Sequence, residues 1–427
     1  MRSHPLAATA TRPVVVVGAS LGGLACAARL ARVGHHVVVV DRRPGPSEEP
    51  WRQRPVIALP AAWRDLFRKS GRILDAALAV EGYALVPAPA TRHEFADGSV
   101  LDLPTDRGEQ QAALARLAGD RAAGAWRDLL DRADDTWQLV RRAGLEAEAD
   151  LGDPRTRGLL TDRRTVASEA DRMPDPRLAA LVRSVAHRLG SAPDETPSWL
   201  LSRASVERTF GLWVVTRDGE PQPAETLDRL LLRRAADRGV ELRWGVTATG
   251  VTEDGVSTTT GGLDGAAVVS AVGHAAHAAL TGRTVTIDVP RRLGPLRLGV
   301  RHLPAQPPAS ETQEVDASDR PLDVAVSDRP LEVVTHGDDD ASLTWTLPSR
   351  TVVSVGAPDP SGLRWRGPAT VSAFHSVDVG SHTYAGSGSV AGTEPWARLL
   401  VGALAAYRVH ARLTGDDIRP TNKAYRP

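Results

Sequence analysis

The sequence predicts an α/β protein whose core is a parallel sheet, and three features near its start support this. Val14–Val17 is an apolar run without alternation, which suits a central parallel strand covered on both faces. A helix is predicted next, because apolar residues recur at helical spacing at Leu21, Leu24, Ala25, Ala28 and Leu30. Residues 37–40 form a second apolar strand that ends at Asp41. Strand, helix and strand in this order form one parallel β-α-β unit.

A glycine-rich turn, GASLGG at residues 18–23, joins the first predicted strand to the helix. Gly18 permits the tight turn, and Gly23 lets the helix pack close to the sheet. Gly34 ends the helix, as glycine often does at a C-terminal cap. The helix N-terminus offers N–H groups to a pyrophosphate, and Asp41 is placed to accept hydrogen bonds from a ribose. We therefore predict a Rossmann-like dinucleotide-binding unit.

Ser20 stands where such turns normally carry their middle glycine. That glycine lets the pyrophosphate approach the backbone closely. The serine side chain either pushes a ligand away or donates its hydroxyl to a phosphate oxygen. A turn that binds nothing is a third interpretation, and the sequence leaves all three open.

Composition favours a globular protein of one large or two ordinary domains. The chain has 427 residues, 42% of them apolar, and its acidic and basic residues balance at 52 each. This balance gives no indication of a nucleic-acid partner. The lone Cys26 cannot form an intrachain disulfide, and we interpret it as a packing residue. No stretch suits a signal peptide or a transmembrane helix, so we expect a cytoplasmic protein.

Several later stretches extend the pattern along the chain: residues 54–72 (RPVIALPAAWRDLFRKSGR), 93–104 (HEFADGSVLDLP, with Asp97-Gly98 as a hairpin turn), 224–251 and 266–280. Together with residues 14–42, they resemble phytoene-desaturase-like, amine-oxidase-type flavoproteins in the same order. The resemblance is patchy but covers most of the chain. It implies an α/β fold in which a Rossmann-like FAD/NAD(P)-binding domain is interrupted by an α+β substrate domain. The implied boundaries are 1–60, 205–290 and 345–427 for the nucleotide domain and 61–204 and 291–344 for the substrate domain.

The same resemblance implies non-covalently bound FAD and a set of residues that hold it. Carried over by position, these residues are Gly18, Ser20, Gly22, Gly23, Asp41, Arg42, Ala248, Gly392 and Thr393. The turn residues would contact the pyrophosphate, and the acid with its basic neighbour would hold the ribose. The backbone of Ala248 would face the adenine, and Gly392 and Thr393 would lie at the flavin end.

Two departures from the family pattern concern the flavin half of the site. The family's Gly-Gly doublet is absent from DRRPGPSEEPWRQRP (41–55), where the connection is also shortened. The family's acid is not evident in HTYAGSGSVAGTEP (382–395). Thr393 is predicted to cap a helix there, with Pro395 in its first turn and Glu394 as an unusual neighbour for an electron-rich flavin. FAD in a modified pocket, a nucleotide without flavin chemistry and no cofactor all stay open.

Residues 105–190 show apolar residues at helical spacing, which predicts a largely helical region. Trp126 and Trp137 belong to its apolar stripe. We interpret both as packing residues between helices, with the lining of a substrate tunnel as the alternative.

Two further stretches carry structural predictions without a functional one. TRDGEPQP (216–223) is predicted to be a polar loop, in a place where the family has a glycine pair. SDRPLDVAV (318–326) and SDRPLEVVT (327–335) are near-repeats, and each is predicted to form a turn followed by a short strand.

The histidines permit both functional and structural interpretations. His274 and His277 lie one helical turn apart, but no further ligand lies near them in sequence, so no metal site is predicted. His375 and His382 lie in the C-terminal segment that the resemblance places near flavin and substrate. They are candidate proton donors, and no firm catalytic residue is assigned.

We therefore expect an FAD-dependent oxidoreductase that acts on a small apolar substrate, a polyene or a secondary metabolite. The flavin would carry the redox step, while the protein positions and desolvates the substrate. A flavin-dependent isomerase without net redox change is one alternative. A non-catalytic homologue that serves as a nucleotide-binding scaffold is the other. Peripheral membrane contact and the oligomeric state stay open.

Overall fold

The structure is a computed structural model, and it describes most of the chain. The described residues are 12–46, 54–142, 152–189, 192–194, 196–252, 254–281, 286–291, 294–299, 312–315, 330–337, 341–347, 350–355, 378–379, 382–384 and 394–419.

The secondary structure mixes strands and helices along the whole chain. The strands, numbered in chain order, are β1 (Val14–Val17), β2 (Val37–Asp41), β3 (Val56–Ala58), β4 (Tyr83–Pro87), β5 (Thr91–Glu94), β6 (Val100–Leu103), β7 (Leu212–Arg217), β8 (Glu220–Pro221), β9 (Glu241–Trp244), β10 (Ala248–Val251), β11 (Gly255–Thr258), β12 (Gly261–Asp264), β13 (Ala267–Ser270), β14 (Thr286–Arg291), β15 (Gly294–Gly299), β16 (Thr312–Val315), β17 (Glu332–His336), β18 (Ala341–Leu347), β19 (Arg350–Val355), β20 (Asp378–Val379) and β21 (His382–Tyr384). The helices are α1 (Leu21–Arg32), α2 (Pro60–Lys69), α3 (Leu74–Val80), α4 (Arg107–Ala118), α5 (Asp120–Arg141), α6 (Pro154–Thr161), α7 (Val166–Ala170), α8 (Pro176–His187), α9 (Ser202–Phe210), α10 (Glu225–Asp237), α11 (His274–Thr281) and α12 (Pro395–Thr414), with a 3₁₀ helix at Ser198–Leu201 before α9.

The central sheet confirms the predicted parallel core. Its strand order is β20-β21-β13-β1-β2-β9, and the neighbours from β21 to β9 run parallel. Every residue of β1 and β2 is buried, as a parallel sheet covered on both faces requires. Since β1 lies between β2 and β13, the order of the strands reverses at β1. A crevice is expected at the carboxyl ends of the strands at such a point.

Helix α1 is tightly enclosed by its neighbours. All of its residues from Leu21 to Leu30 are buried, and α12 crosses it at very short range. A Cβ atom added at Gly402 of α12 would lie 2.3 Å from the carbonyl oxygen of Gly22, so the crossing requires glycine. The predicted end of α1 is also confirmed, because Gly34 follows it with φ +96°.

A second sheet has the order β16-β19-β18-β17-β5-β6. The β5–β6 hairpin is confirmed, with Gly98 at φ +80° in its turn. Strand β17 confirms the strand predicted for the second near-repeat, whereas residues 318–326 lie outside the described residues. The domain boundaries stay a prediction, although β19, which they assign to the nucleotide domain, pairs with β18 in this sheet.

The polar loop predicted at residues 216–223 is wrong, because part of it forms a tight hairpin. Strands β7 and β8 pair antiparallel. Asp218 and Gly219 join them with φ of 52° and 86°. Two consecutive positive φ values are typical of a primed turn, whose twist matches that of the flanking strands.

The helical region predicted at residues 105–190 is confirmed by α4 to α8. Trp126 and Trp137 on α5 are both buried in hydrophobic clusters, which confirms the packing interpretation. The indole Nε1 of Trp126 donates to Oε1 of Gln110 on α4 at 2.9 Å.

A buried ion network joins α9 to the second sheet. The guanidinium of Arg54 donates to Glu207 of α9 at 3.0 Å and, through Nε and Nη2, to Glu332 of β17 at 2.9 and 2.8 Å. Arg188 also pairs with Glu207, at 3.3 Å. Separating the partners of such a network would leave buried charges uncompensated, which is strongly destabilising. The ion pairs therefore hold α9 against the second sheet.

The α1–α12 crossing generates a prediction on stability. We expect Gly402→Ala to lower the free energy of unfolding by about 1–3 kcal/mol, because the new methyl group overpacks the crossing. The matched control is Gly124→Ala on α5, where an added Cβ meets nothing within 4 Å. This control should raise stability by roughly 0.5–1 kcal/mol through helix propensity. Urea denaturation of both variants measures the difference, and equal effects would contradict the close crossing.

Candidate dinucleotide site

The site is built where the carboxyl ends of β1, β2 and β13 meet. The N–H of Gly18, directly after β1, donates to Val40 O of β2 at 2.8 Å. On the other side, the N–H of Ala271 donates to Val17 O at 2.8 Å. The strand register therefore holds the glycine-rich turn between the ends of both neighbouring strands.

The glycines of the turn are required by its geometry. Gly18 has φ +102°, in the region that side chains disfavour. A Cβ atom at Gly23 would lie 2.2 Å from the carbonyl oxygen of Gly18. These two glycines thus perform the roles predicted for them, the tight turn and the close helix packing. The first-turn N–H groups of Leu21 and Gly22 have no intrahelical acceptor and are positioned to bind an anion.

Ser20 is the N-cap residue of α1. Its backbone is extended, with φ −76°, so this position does not need glycine. The hydroxyl donates to Ala271 O at 2.7 Å and accepts from the Gly23 N–H at 3.3 Å. The side chain therefore folds back onto the protein. In this arrangement it neither projects into the crevice to block a ligand nor keeps its proton for a phosphate.

Asp41 ends β2 beside this turn, and its carboxylate is already well bonded. Oδ2 accepts from the Ala19 N–H at 2.7 Å, and Oδ1 accepts from the Arg43 N–H at 2.9 Å. Burial alone would raise the pKa of Asp41, but the hydrogen bonds from Arg43 and Ala19 outweigh it and hold the pKa below its usual range. The acid is thus anionic at neutral pH, as a ribose-binding acceptor must be.

The basic residue that pairs with this acid is Arg43, and the predicted contact of Arg42 with a ribose stays a prediction. Arg42 is exposed. The guanidinium of Arg43 donates to both carboxylate oxygens of Asp41, at 2.9 and 3.0 Å, and to Ala19 O at 3.0 Å. It also lies over the ring of Trp244, 5.7 Å from the centroid. The sequence does not show which of two adjacent arginines pairs with Asp41, because this depends on the direction of the chain after β2.

The segment that leads to Ala248 runs alongside this acid. Gly245 N–H donates to Arg43 O at 2.6 Å, and Val246 N–H donates to Asp41 O at 3.0 Å. Ala248 follows as the first residue of β10 and is half-buried. The structure therefore brings Ala248 to the same end of β2 as Asp41, and its contact with an adenine stays a prediction.

The N-terminus of α12 differs from the sequence-based expectation. The N-cap residue is Glu394, not Thr393, and Pro395 occupies the first turn as predicted. Gly392 and Thr393 lie outside the described residues. The buried guanidinium of Arg203, on α9, forms an ion pair with Glu394. The carboxylate that is an unusual neighbour for a flavin is therefore compensated by a positive charge, and no pattern in the sequence predicts this ion pair.

Asp228 of α10 is a further titratable residue that sequence reasoning missed. Burial raises its pKa to about 7, against the lowering effects of the positive charges of Arg398 on α12 and Arg43. The residue therefore lies within the electrostatic reach of both ends of the site. In sequence it looks like one more charge on the polar face of an amphipathic helix.

The histidines contribute no metal site in the part of the chain that the structure describes. The buried His277 ring contacts Ser270 Oγ through Nδ1 at 2.8 Å, as a hydrogen-bonded core residue does. His382 begins β21, which lies between β20 and β13 in the central sheet, and His375 lies outside the described residues. Both stay candidate proton donors by prediction only.

The residues present fit an FAD molecule at its adenosine and pyrophosphate half. The turn glycines leave backbone N–H groups accessible, Ser20 is turned away, and an anionic acid stands at the end of the second strand. This combination defines the class of the protein as a dinucleotide-binding α/β fold.

Comparison with known proteins narrows this class. A family model described as FAD-dependent oxidoreductase matches residues 13–395. The chain is 34% identical over 268 residues to a hydroxyneurosporene desaturase of Cereibacter sphaeroides, covering 57% of this chain and 51% of that protein. It is 29% identical over 293 residues to a zeta-carotene-forming phytoene desaturase of Myxococcus xanthus, covering 62% and 53%. The chain therefore belongs to the FAD-dependent oxidoreductase family, and the resemblance to phytoene-desaturase-like flavoproteins is confirmed.

Solved structures support the same fold. Putrescine oxidase aligns with a TM-score of 0.58 at 12% identity, over 95% of this chain and 99% of that one. Cyclohexylamine oxidase from Brevibacterium oxydans aligns with a TM-score of 0.58 at 14% identity, over 94% and 99%. The interpretations as an isomerase or a scaffold receive no support from these comparisons. The chain spans about half the length of the two desaturases described above. No helix in the described ranges combines the length and apolarity needed to cross a bilayer.

The geometry of Ser20 generates a prediction on binding and stability. We expect Ser20→Ala to lower the free energy of unfolding by about 1 kcal/mol, because α1 loses its N-cap, and to leave the Kd for FAD nearly unchanged. Thr165→Ala removes a comparable cap from α7, which has a capping box of its own, and serves as the control. Chemical denaturation and fluorescence titration measure both quantities. A tenfold weaker binding of FAD by Ser20→Ala alone would show instead that the hydroxyl contacts a phosphate.

Proposed function

We propose that the protein is an FAD-dependent desaturase that removes hydrogen from an apolar polyene. The observation that carries the proposal is the turn from Gly18 to Gly23 beside the anionic Asp41. This turn offers N–H groups to a pyrophosphate, and the acid offers oxygens to a ribose. FAD, when bound, supplies a hydride acceptor that protein side chains lack.

The protein's own residues would hold and orient this cofactor. Leu21 and Gly22 would donate backbone N–H groups to the pyrophosphate. Asp41, steadied by Arg43, would accept from the ribose hydroxyls, and the backbone near Ala248 would face the adenine. Binding at the carboxyl ends of the strands would place the other half of the cofactor toward the first turn of α12, where Trp396 packs edge-to-face on Trp137.

An apolar polyene is the substrate class that the relatives support. The two relatives compared above are desaturases named for hydroxyneurosporene and for phytoene conversion. A polyene-handling enzyme must take its substrate from a lipid phase, so we propose a cytoplasmic protein that contacts a membrane peripherally. His375 and His382 remain the candidates for proton transfer, and the two-domain division of the chain is part of the same proposal.

The test combines cofactor binding with product analysis. Purified protein is incubated with FAD, passed through gel filtration, and mixed without oxygen with phytoene dispersed in lipid vesicles. The proposal predicts a yellow protein whose visible absorbance bleaches on mixing, together with a product that has gained double bonds. Asp41→Asn, which weakens the ribose acceptor, should reduce FAD retention and bleaching together.

Other outcomes separate the alternatives. A yellow protein that changes the polyene only after prior reduction of the flavin, without a gain of double bonds, indicates an isomerase. A colourless protein after gel filtration contradicts flavin chemistry altogether.

A further inference from the structure

The first turn of α12 packs against the helical region. Trp396, the second residue of α12, packs edge-to-face on Trp137 of α5 with ring centroids 5.4 Å apart. Phe210, at the end of α9, contacts the same Trp137 ring at 6.5 Å. Arg203 of α9 forms its ion pair with Glu394 at the cap of α12. Helices α5 and α9 therefore both contact the N-terminal end of α12.

Three buried hydrogen-bond donors in this region lack an acceptor among the described residues: Arg203 Nη1, Trp137 Nε1 and Trp199 Nε1. The three residues are 3%, 2% and 3% exposed. Trp199 lies four residues before Arg203, within the 3₁₀ helix that precedes α9, and belongs to the same hydrophobic cluster as Trp137 and Trp396. A buried donor left unsatisfied costs about 1–3 kcal/mol. Three such donors on α5, the 3₁₀ helix and α9, which pack against one another, indicate a ligand that is rich in acceptors.

The charge of Arg203 points to an electron-rich ligand. Burial and the positive charges of Arg188 and Arg54 lower the pKa of its guanidinium to about 9, although the negative charge of Glu207 acts in the opposite direction. Glu394 accepts from one guanidinium nitrogen, Nη2, while Nη1 stays without a partner. A group with partial negative charge at Nη1 would stabilise the charged form of the guanidinium.

The distance from the pyrophosphate-binding turn fits the ring end of FAD. Gly402 of α12 lies against Gly22 in the first turn of α1. The eight residues from Pro395 to Gly402 span roughly 10 Å of helix. The ribityl chain of FAD, which links pyrophosphate to ring, is long enough to cover this distance.

We propose that Arg203 contacts the electron-rich edge of the flavin ring and stabilises the reduced form of the cofactor over the oxidised form. This inference rests on the proposed function, since it requires FAD in the crevice. Reduction adds negative charge to the ring, and a buried guanidinium favours the form with more negative charge. Trp137 and Trp199 supply further N–H donors beside it. Glu394 opposes Arg203 by partly neutralising its charge.

The test is the flavin midpoint potential of the FAD-loaded protein, measured against a reference dye. Arg203→Gln removes the positive charge, and we expect the preference for reduced over oxidised FAD to fall about tenfold, which is about 30 mV lower for a two-electron couple. Glu394→Gln removes the opposing negative charge, so it should shift the potential in the opposite direction. Arg203→Lys should restore most of the wild-type potential. Arg208→Gln, on the same helix and ion-paired with Asp131 at 3.2 Å, is the matched control and should leave the potential unchanged.

Opposite shifts for the two variants distinguish an electrostatic role from a structural one. If the ion pair served only to hold α12, both variants would weaken stability and FAD binding alike, and the potential would move in neither case; that result overturns the inference. If Arg203→Gln does not fold, the upward shift of the flavin midpoint potential expected for Glu394→Gln still tests the inference. An unchanged potential combined with a raised KM for the polyene would assign Arg203 to the substrate instead. Wild-type protein that retains no FAD would overturn the proposed function and this inference with it.

Discussion

The close approach of α1 to the structures around it is the constraint on which the site depends. Gly23 packs on the carbonyl oxygen of Gly18, and Gly402 packs on that of Gly22 at distances that no side chain permits. The first contact places the helix N-terminus against the ends of the strands, and the second fixes α12 relative to it. Helix α1 thereby positions both the anion-binding turn and the first turn of α12. A bound FAD would have to reach from one to the other.

The polar groups around this helix form hydrogen bonds and ion pairs with one another. Ser20 donates its hydroxyl to Ala271 O and accepts from the Gly23 N–H, so the serine that replaces the usual glycine caps α1. Arg43 holds the Asp41 carboxylate in its ionised form, and Arg203 compensates Glu394. Asp41 therefore has a basic partner from the turn that follows β2, and Glu394 has one from α9. Charge compensation of this kind allows an electron-rich cofactor to bind beside carboxylates.

The sequence predicts the parts of the site that depend on local periodicity and glycine spacing. The strand β1, the turn at Gly18, helix α1 and the acid Asp41 all follow from patterns within one short stretch. A shift of the backbone path by one residue would decide whether Arg42 or Arg43 pairs with Asp41, and which residue caps α12. Composition does not determine positions to within one residue. The pair of Arg203 and Glu394 joins positions far apart in the chain. Residues 216–223 also could not be predicted from composition, because a polar sequence suits both a loop and the hairpin turn at Asp218 and Gly219.

We infer that the turn with Ser20 still binds the adenosine-pyrophosphate half of a dinucleotide. Isothermal titration calorimetry with ADP, which contains only that half, tests this binding without any contribution from the flavin end. We expect saturable binding of ADP, competition by FAD, and loss of both in Asp41→Asn. An absence of heat with ADP, while FAD still binds, would show that the flavin end alone holds the cofactor and would contradict the role assigned to this turn.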